Sequence, residues 1–420
     1  MRALMVGGGI GGLTAALRLH AAGVAVDVYE SVSAVRGLGV GINLLPHAVR
    51  ELTDLGLLNA LVAVGVQTQE LCYYNKFGQA IWQEPRGLAA GYRWPQISIH
   101  RGRFQMLLLD TVRERLGASH LHTGHHLASF AHEDDGTVTA RFVDRRTGAS
   151  VATETADVLI GADGIHSAVR QQLYPDEGPP IWNGAILWRG TTRCAPVLSG
   201  RSMFMAGHAD QKFVAYPITP TADERGEFLL NWVAERRFDK STLHNREDWN
   251  RPGNLADFLP AFADWQFDWL DIPDVVRRAE AVYEYPLVDR DPLDRWSFGA
   301  VTLLGDAAHP MWPVGSNGAS QAILDARALT DALAAAADIP AALRVYEAQR
   351  LPMTARVTLT NRTQGAERIM QLVEERAPHG FDDLEAVMPR AEMEAITADY
   401  KRIAGFDRDA LNRQDNGKGE

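Results

Sequence analysis

Residues 3–30 read ALMVGGGIGGLTAALRLHAAGVAVDVYE. Ala3 to Val6 is a short apolar run. Gly7, Gly9 and Gly12 follow with G-x-G-x-x-G spacing. From Ile10 to Ala22 the apolar positions, Leu13, Leu17 and Leu19 among them, recur with helical periodicity. Val24 to Tyr29 is a second apolar strand, and Glu30 closes it. Strand, glycine turn, helix, strand and acid stand in the order of a dinucleotide-binding βαβ unit. Gly7 permits the tight turn and Gly9 lets backbone approach a pyrophosphate. Gly12 allows close helix–strand packing, and the helix N-terminus, opening at Ile10 and Gly11, faces the phosphates. Glu30 lies 18 residues after Gly12, placed to accept hydrogen bonds from ribose hydroxyls. The unit alone does not separate FAD from NAD.

The rest of the chain bounds the function. Its 420 residues are 46% hydrophobic and 23% charged, the profile of an ordinary soluble globular protein. A net charge of -11 argues against nucleic acid or an anionic membrane as partner. Cys72 and Cys194 are far apart and read as free buried thiols. His125 and His126 are adjacent, so on a strand they point to opposite faces, and HHLASFAH holds too few ligands for a metal site. No apolar run approaches the roughly 20 residues of a membrane span. Arg2 ahead of apolar residues superficially resembles a signal peptide, but the glycine cluster argues for the first strand and helix of a cytoplasmic protein. Monomer and homodimer both remain open.

Two further stretches carry acids at the ends of buried strands. Residues 156–170 read ADVLIGADGIHSAVR, and residues 301–325 read VTLLGDAAHPMWPVGSNGASQAILD. Taken singly, Asp163 and Asp306 read as helix N-caps. The order GGGIGG, HRGRFQMLL, GADGIHSAVR and LLGDAAH with PxxGxNG resembles the single-component FAD-dependent aromatic hydroxylases, the p-hydroxybenzoate hydroxylase group. The resemblance covers nearly the whole chain. The stretches RGLGVGINLLPHAVREL, PQISIHRGRFQMLLL and YPLVDRDPL are similar, more narrowly, to the branch acting on 5-methylphenazine-1-carboxylate.

The resemblance implies an α/β fold. A Rossmann-like FAD-binding domain of the glutathione-reductase type would carry an inserted antiparallel-sheet substrate domain and a helical C-terminus. Asp306 would bind the ribityl hydroxyls of FAD, and Asp163 would support the FAD and nicotinamide sites. Arg101 and Gln105 would contact FAD, with Glu30 on the adenosine ribose. Val40, Leu127, Gly318 and Ala319 complete the expected FAD contacts. In such enzymes NADH or NADPH reduces FAD, and O2 is captured as a C4a-hydroperoxide that attacks an electron-rich ring, in the narrower branch with possible loss of a carboxylate. The protein must stabilise charge on reduced flavin, exclude water and position the ring. Pro313, Gly315, Asn317 and Gly318 are the candidate catalytic loop, offering N–H groups at a helix N-terminus. His309 reads as loop-orienting rather than acid–base. A reductase or dehydrogenase of the same fold, without oxygen insertion, is the alternative. A purely binding flavoprotein would not need the complete loop.

The expected FAD-binding pieces are 1–75, 98–175 and 281–345. Substrate-binding pieces are 76–97 and 176–280, and 346–420 is a helical region with a disordered tail. LCYYNKFGQAIWQEP reads as a hairpin turning near Phe77-Gly78. GAILWRGTT, KFVAYPIT and EFLLNWVAE read as strands. Six of the ten tryptophans fall in 176–280, mostly as core. Trp188, Tyr216 and Trp312 are the candidate walls for a small aromatic substrate, and Arg189 could contact a phenol or carboxylate. Pro352 should kink or delimit a helix, and 391–404 reads as an amphipathic helix.

Overall fold

A computed structural model describes residues 1–37, 39–239 and 251–413. Its centre is a five-stranded parallel sheet in the order Val301–Leu303, Val158–Gly161, Arg2–Val6, Ala25–Glu30, Leu121–Thr123. Met5 pairs with Ile160 on one side and Val28 on the other. These strands are covered on both faces, which is why they read as unbroken apolar runs. Helix Ile10–Ala21 packs against helix Gly318–Ala335 on this sheet. The N-termini of both helices therefore open at the carboxyl ends of parallel strands, where open α/β sheets bind ligands.

A seven-stranded sheet stands beside it. Its order is Val282–Asp289, Ile181–Cys194, Phe228–Arg237, Gln211–Pro217, Ser202–His208, Glu70–Tyr74, Ala80–Pro85. The expected hairpin supplies the last two strands, and Gly78 turns it with φ +79. The three expected strands are present, and Ser202–His208 and Val282–Asp289 join them. The sheet departs from pure antiparallel pairing at one joint, where Ser202–His208 runs parallel to Glu70–Tyr74. The chain between those strands crosses the other sheet, so no hairpin joins them.

Side-chain alternation divides this sheet into two faces. Phe213, Trp232 and Trp188 point to one side, into a cluster closed by Phe258 and Phe262. Val214, Tyr216, Leu187 and Tyr285 point to the other, toward the FAD-type sheet and the C-terminal helices. Trp232 and Trp265 are core, and Trp182 and Trp269 pack against the same cluster. Trp249 lies outside the described residues, as does the tail from 414 that was expected to be disordered. Cys72 and Cys194 are buried free thiols, and burial pushes them up to about 12 and about 11.

Pro352 neither ends nor delimits its helix: Ile339–Arg362 runs through it. Proline leaves the Ala348 carbonyl without its partner. Both residues are exposed, so water can take that bond. The helix expected at 391–404 spans Arg390–Ile403. Among the described residues no helix is long and apolar enough to cross a membrane, and no His, Cys, Asp and Glu group could hold a metal ion.

Candidate active site

The first glycine loop is shaped by collisions that glycine avoids. Gly7 sits at φ +112, and a Cβ there would overlap the Ala162 carbonyl oxygen. A Cβ on Gly12 would overlap the Gly7 carbonyl oxygen, and one on Gly11 would come within 2.9 Å of Leu304. Gly9 differs, because its missing side chain would meet nothing within 4 Å. Gly7, Gly11 and Gly12 thus serve packing, whereas Gly9 faces open space at a helix N-terminus that no side chain caps. Ile10 is half-buried at the start of that helix. The loop is fixed by two side chains named above. Gln105 Nε2 donates to the Gly8 carbonyl at 2.9 Å, and Glu30 accepts from the Gly8 N–H at 2.8 Å and the Val32 N–H at 2.9 Å. Val40 is buried, with its carbonyl accepting from the Arg101 N–H, and Leu127 is buried in the core.

Asp306 and Asp163 separate into two kinds of acid. Asp163 accepts from Ser167 Oγ at 2.5 Å and the Ala168 N–H at 2.7 Å, so its carboxylate caps the helix that follows. Burial pushes its carboxyl up, against those hydrogen bonds. Its backbone lies under Gly7, so it supports the first loop from below. Asp306 accepts no protein hydrogen bond among the described residues. It is reached by solvent yet crowded by protein, the situation of a side chain on a cleft floor. Burial raises its carboxyl, with His309 and Arg101 partly opposing. Gly318 presents its open side to Asp306, whose Oδ1 lies 3.9 Å from where a Cβ would stand. The first-turn N–H groups at Gly318 and Ala319 have no side-chain cap. An unsatisfied carboxylate therefore faces a helix N-terminus across an open space.

His309 is buried and turned away from that space. Its Nε2 lies 2.5 Å from Asp325 Oδ2, which also accepts from the Gly305 N–H at 3.1 Å. Arg350 Nε donates to Asp325 Oδ1 at 2.7 Å. Burial alone would raise Asp325, but His309 and Arg350 outweigh it and hold the carboxyl at about 2. Asp325 and Arg350 escape sequence reading because they lie on different helices and meet the LLGDAAH stretch only in the folded chain.

Pro313 is exposed at the start of the turn that leads into the Gly318 helix. Asn317 is fully buried, and its Nδ2 donates to the Tyr400 hydroxyl at 2.7 Å. The Asn317 side chain is thus held by Tyr400, which leaves the backbone role expected of this loop as the one Asn317 could play.

The substrate candidates fall on opposite faces of the large sheet. Trp188 is 1% exposed and stacks on Phe258 with ring centroids 4.7 Å apart. Its Nε1 donates to Glu284. It is a core residue of the far face and not a pocket wall; one step of strand alternation separates the two outcomes. Tyr216 and Trp312 lie on the near face, Trp312 packed with Leu187 and Tyr285. Arg189, adjacent to Trp188, also points to this face, donating to the Gly41 carbonyl at 2.9 Å. Its environment holds Tyr216, Tyr285 and Arg101, among the described residues it forms no ion pair, and burial lowers its pKa. Burial also pushes Tyr216 up to about 12, against the pull of Arg189. Among the described residues, three buried donors here lack an acceptor: Arg189 Nε, Asn231 Nδ2 and Trp312 Nε1. Asn231 carried no sequence signal.

The uncapped N-termini, the space at Gly9 and the unpaired Asp306 fit FAD, whose isoalloxazine supplies the redox chemistry and the activation of O2. A fold of this kind with such a site defines a flavoprotein hydroxylase, and the comparisons agree. The chain belongs to the FAD binding domain family, matched over residues 1–250 and 270–361. It is 45% identical over 402 residues to phenazine 1,6-dicarboxylic acid hydroxylase PhzS of Lysobacter antibioticus, covering 95% of this chain and 96% of that one. It is 34% identical to 3-amino-4-hydroxybenzoate 2-monooxygenase PtmB3 of Streptomyces platensis, covering 87% and 88%. Among solved structures, HpxO of Klebsiella pneumoniae complexed with FAD and uric acid matches with TM-score 0.75 and 25% identity, over 98% and 96% of the two chains. A salicylate hydroxylase substrate complex matches with TM-score 0.73 and 25% identity, over 98% and 97%. The protein is an FAD-dependent aromatic monooxygenase that uses NAD(P)H and O2. The alternative without oxygen insertion finds no support among these relatives.

Proposed function

We propose that the substrate is a planar heteroaromatic carboxylic acid of the phenazine type, with its carboxylate directed to Arg189. The observation that carries this is the set of three buried donors without acceptors on the cleft-facing side of the sheet. A buried donor left unpaired costs free energy, and an anionic acceptor relieves it. Among the described residues Arg189 forms no ion pair and its named neighbours are Tyr216, Tyr285 and Arg101, so an anion is the partner that would complete it. Tyr216 and Trp312 would flank the flat ring. Asp306 would hold the ribityl chain, Arg101 would contact FAD at the cleft mouth, and Glu30 would hold the adenosine ribose. Pro313 and Gly315 to Ala319 would form the electrostatic seat of the reduced ring. The similarity to a phenazine dicarboxylic acid hydroxylase supports the same substrate class.

The test is NAD(P)H oxidation in the presence of phenazine-1-carboxylate, a phenazine without a carboxylate, and simple phenols. Product mass is measured under oxygen-18. The carboxylate should stimulate oxidation most, with one labelled oxygen in the product. A second mass difference, loss of the carboxylate, reports whether hydroxylation is decarboxylative. Arg189→Leu should raise KM for the carboxylated ring by about 10- to 100-fold, the equivalent of a charged hydrogen bond. It should leave the carboxyl-free ring unaffected. Equal losses on both substrates would remove Arg189 from this role.

A further inference from the structure

The backbone of the 312–317 turn is unusual on two counts. Gly315 has φ +64 and Ser316 φ +60. Ser316 is not a glycine, so this left-handed conformation is strained and persists only where the surroundings impose it. The surroundings that do so come from the C-terminal helices. The Tyr400 hydroxyl accepts from Asn317 Nδ2 at 2.7 Å. Its single proton serves the Val314 carbonyl or Asn361 Oδ1, each 2.9 Å away. Asn361 Nδ2 in turn donates to the Trp312 carbonyl at 3.0 Å. Farther along the same helix start, Gln321 Nε2 donates to the Ala404 carbonyl at 3.0 Å.

The packing tells the same story. A Cβ on Gly315 would overlap the Tyr400 hydroxyl, and one on Gly365 would come within 2.6 Å of the Tyr400 ring. Tyr400 is 4% exposed and fills the space that both glycines leave. Burial pushes its hydroxyl far up, with Glu367 adding to this, so the phenol stays protonated and able to donate. The family match ends at residue 361. Tyr400 therefore lies beyond the matched segment, on the helix Arg390–Ile403 that packs behind the loop.

We propose that Tyr400 is a positioning residue for the flavin site: through Asn317, Val314 and Asn361 it sets the 312–317 turn, and with it the direction of the N–H groups that face the isoalloxazine. The proposal rests on reading this loop as the flavin seat. N–H groups help an anionic reduced ring only when aimed at it beforehand. A turn released from Tyr400 would relax from its left-handed strain, and that aim would be lost without any change in the FAD contacts at the first glycine loop.

Tyr400→Phe keeps the ring that fills the two glycine spaces and removes only the hydroxyl. The holoenzyme should retain its flavin content. The reduction potential of the bound flavin should fall, because the anionic reduced form loses stabilisation. Product formed per NAD(P)H oxidised should drop about three- to tenfold, the range open to one neutral hydrogen bond, with hydrogen peroxide accounting for the difference. Asn361→Ala should give the same signature, and the double variant should be no worse than the more affected single one. Gly318→Ala is the control for the seat itself, since it adds a methyl toward Asp306 without touching Tyr400. If Gly318→Ala shifts the potential while Tyr400→Phe leaves potential and coupling at wild-type values, the positioning role is overturned and the seat stands. If both leave them unchanged, the seat reading falls. Should Tyr400→Phe not fold, Asn361→Ala decides by the same two readouts.

Discussion

Gly12 and Gly315 are both glycines because a side chain would collide, but the collisions differ in origin. At Gly12 the obstacle is the Gly7 carbonyl, five residues earlier in the same loop. At Gly315 it is the Tyr400 hydroxyl, 85 residues later. The first loop is mostly local: one strand, one turn and one helix make its shape, braced by Ala162 under Gly7 and by Gln105 and Glu30. The second is imposed from outside, by Asp325 and Arg350 beneath Gly305 and by Asn361 and Tyr400 behind Val314. A site for one cofactor is thus assembled by a local device at one end and by long-range scaffolding at the other.

The scaffolded end should break most severely, and at Asp325. This carboxylate is fully buried between His309 and Arg350. Asp325→Asn leaves Arg350 without its counter-charge, and losing one partner of a buried pair costs about 3–5 kcal/mol. Denaturant unfolding should show a loss of that order at neutral pH. Acid should reproduce part of the effect in the wild type. The Asp325 carboxyl is depressed to about 2 from an ordinary 3.8. Its contribution is therefore fully present above about pH 4 and is lost as pH falls toward 2, amounting to about 2 kcal/mol. Stability of Asp325→Asn should decline less steeply across that window. Parallel acid curves for the two proteins would show that the pair does not operate as described.

The more local end should break next, at Gly12. An added methyl would meet backbone, which cannot swing aside as a flexible side chain can. Overpacking of this kind costs about 1–3 kcal/mol, and the displaced helix start should also cost most of the bound flavin. Unfolding midpoint and flavin absorbance of the purified protein report the two losses separately. Wild-type values for both would mean that helix and strand are less tightly opposed than the structure has them.

What the sequence made legible follows the same division. Gly7, Gly9, Gly12 and Glu30 fall in the expected strand, turn, helix and strand, whose order is legible within a 30-residue stretch. The parallel sheet follows from buried apolar runs ending in glycine or acid, and the hairpin at Gly78 from turn chemistry. Trp188 was misplaced because an aromatic residue on a strand announces burial but not which face; Arg189, one position on, holds the face toward the cleft. Asn317 was read from its loop position, while its side chain answers to Tyr400. Asn231, Asp325, Arg350 and Tyr400 were missed because nothing local marks them. Their roles exist only once helices and strands distant in sequence are packed together.

The mildest substitution is the sharpest test of the first loop. Gly9 has φ -78 and ψ -179, an extended conformation that alanine adopts freely. Its Cβ would meet nothing within 4 Å. Gly9→Ala should therefore change the stability of the apoprotein by no more than about 0.5 kcal/mol, as for a substitution that disturbs no packing. The open space is nevertheless where a pyrophosphate would approach the backbone. Flavin affinity should fall even though the fold does not notice. Gly12→Ala and Gly9→Ala thus separate packing from binding within one six-residue loop. The comparison to make is apoprotein unfolding against FAD titration for both variants. If Gly9→Ala destabilises the apoprotein as much as Gly12→Ala does, the loop is a packing motif throughout, and the cofactor does not lie against Gly9.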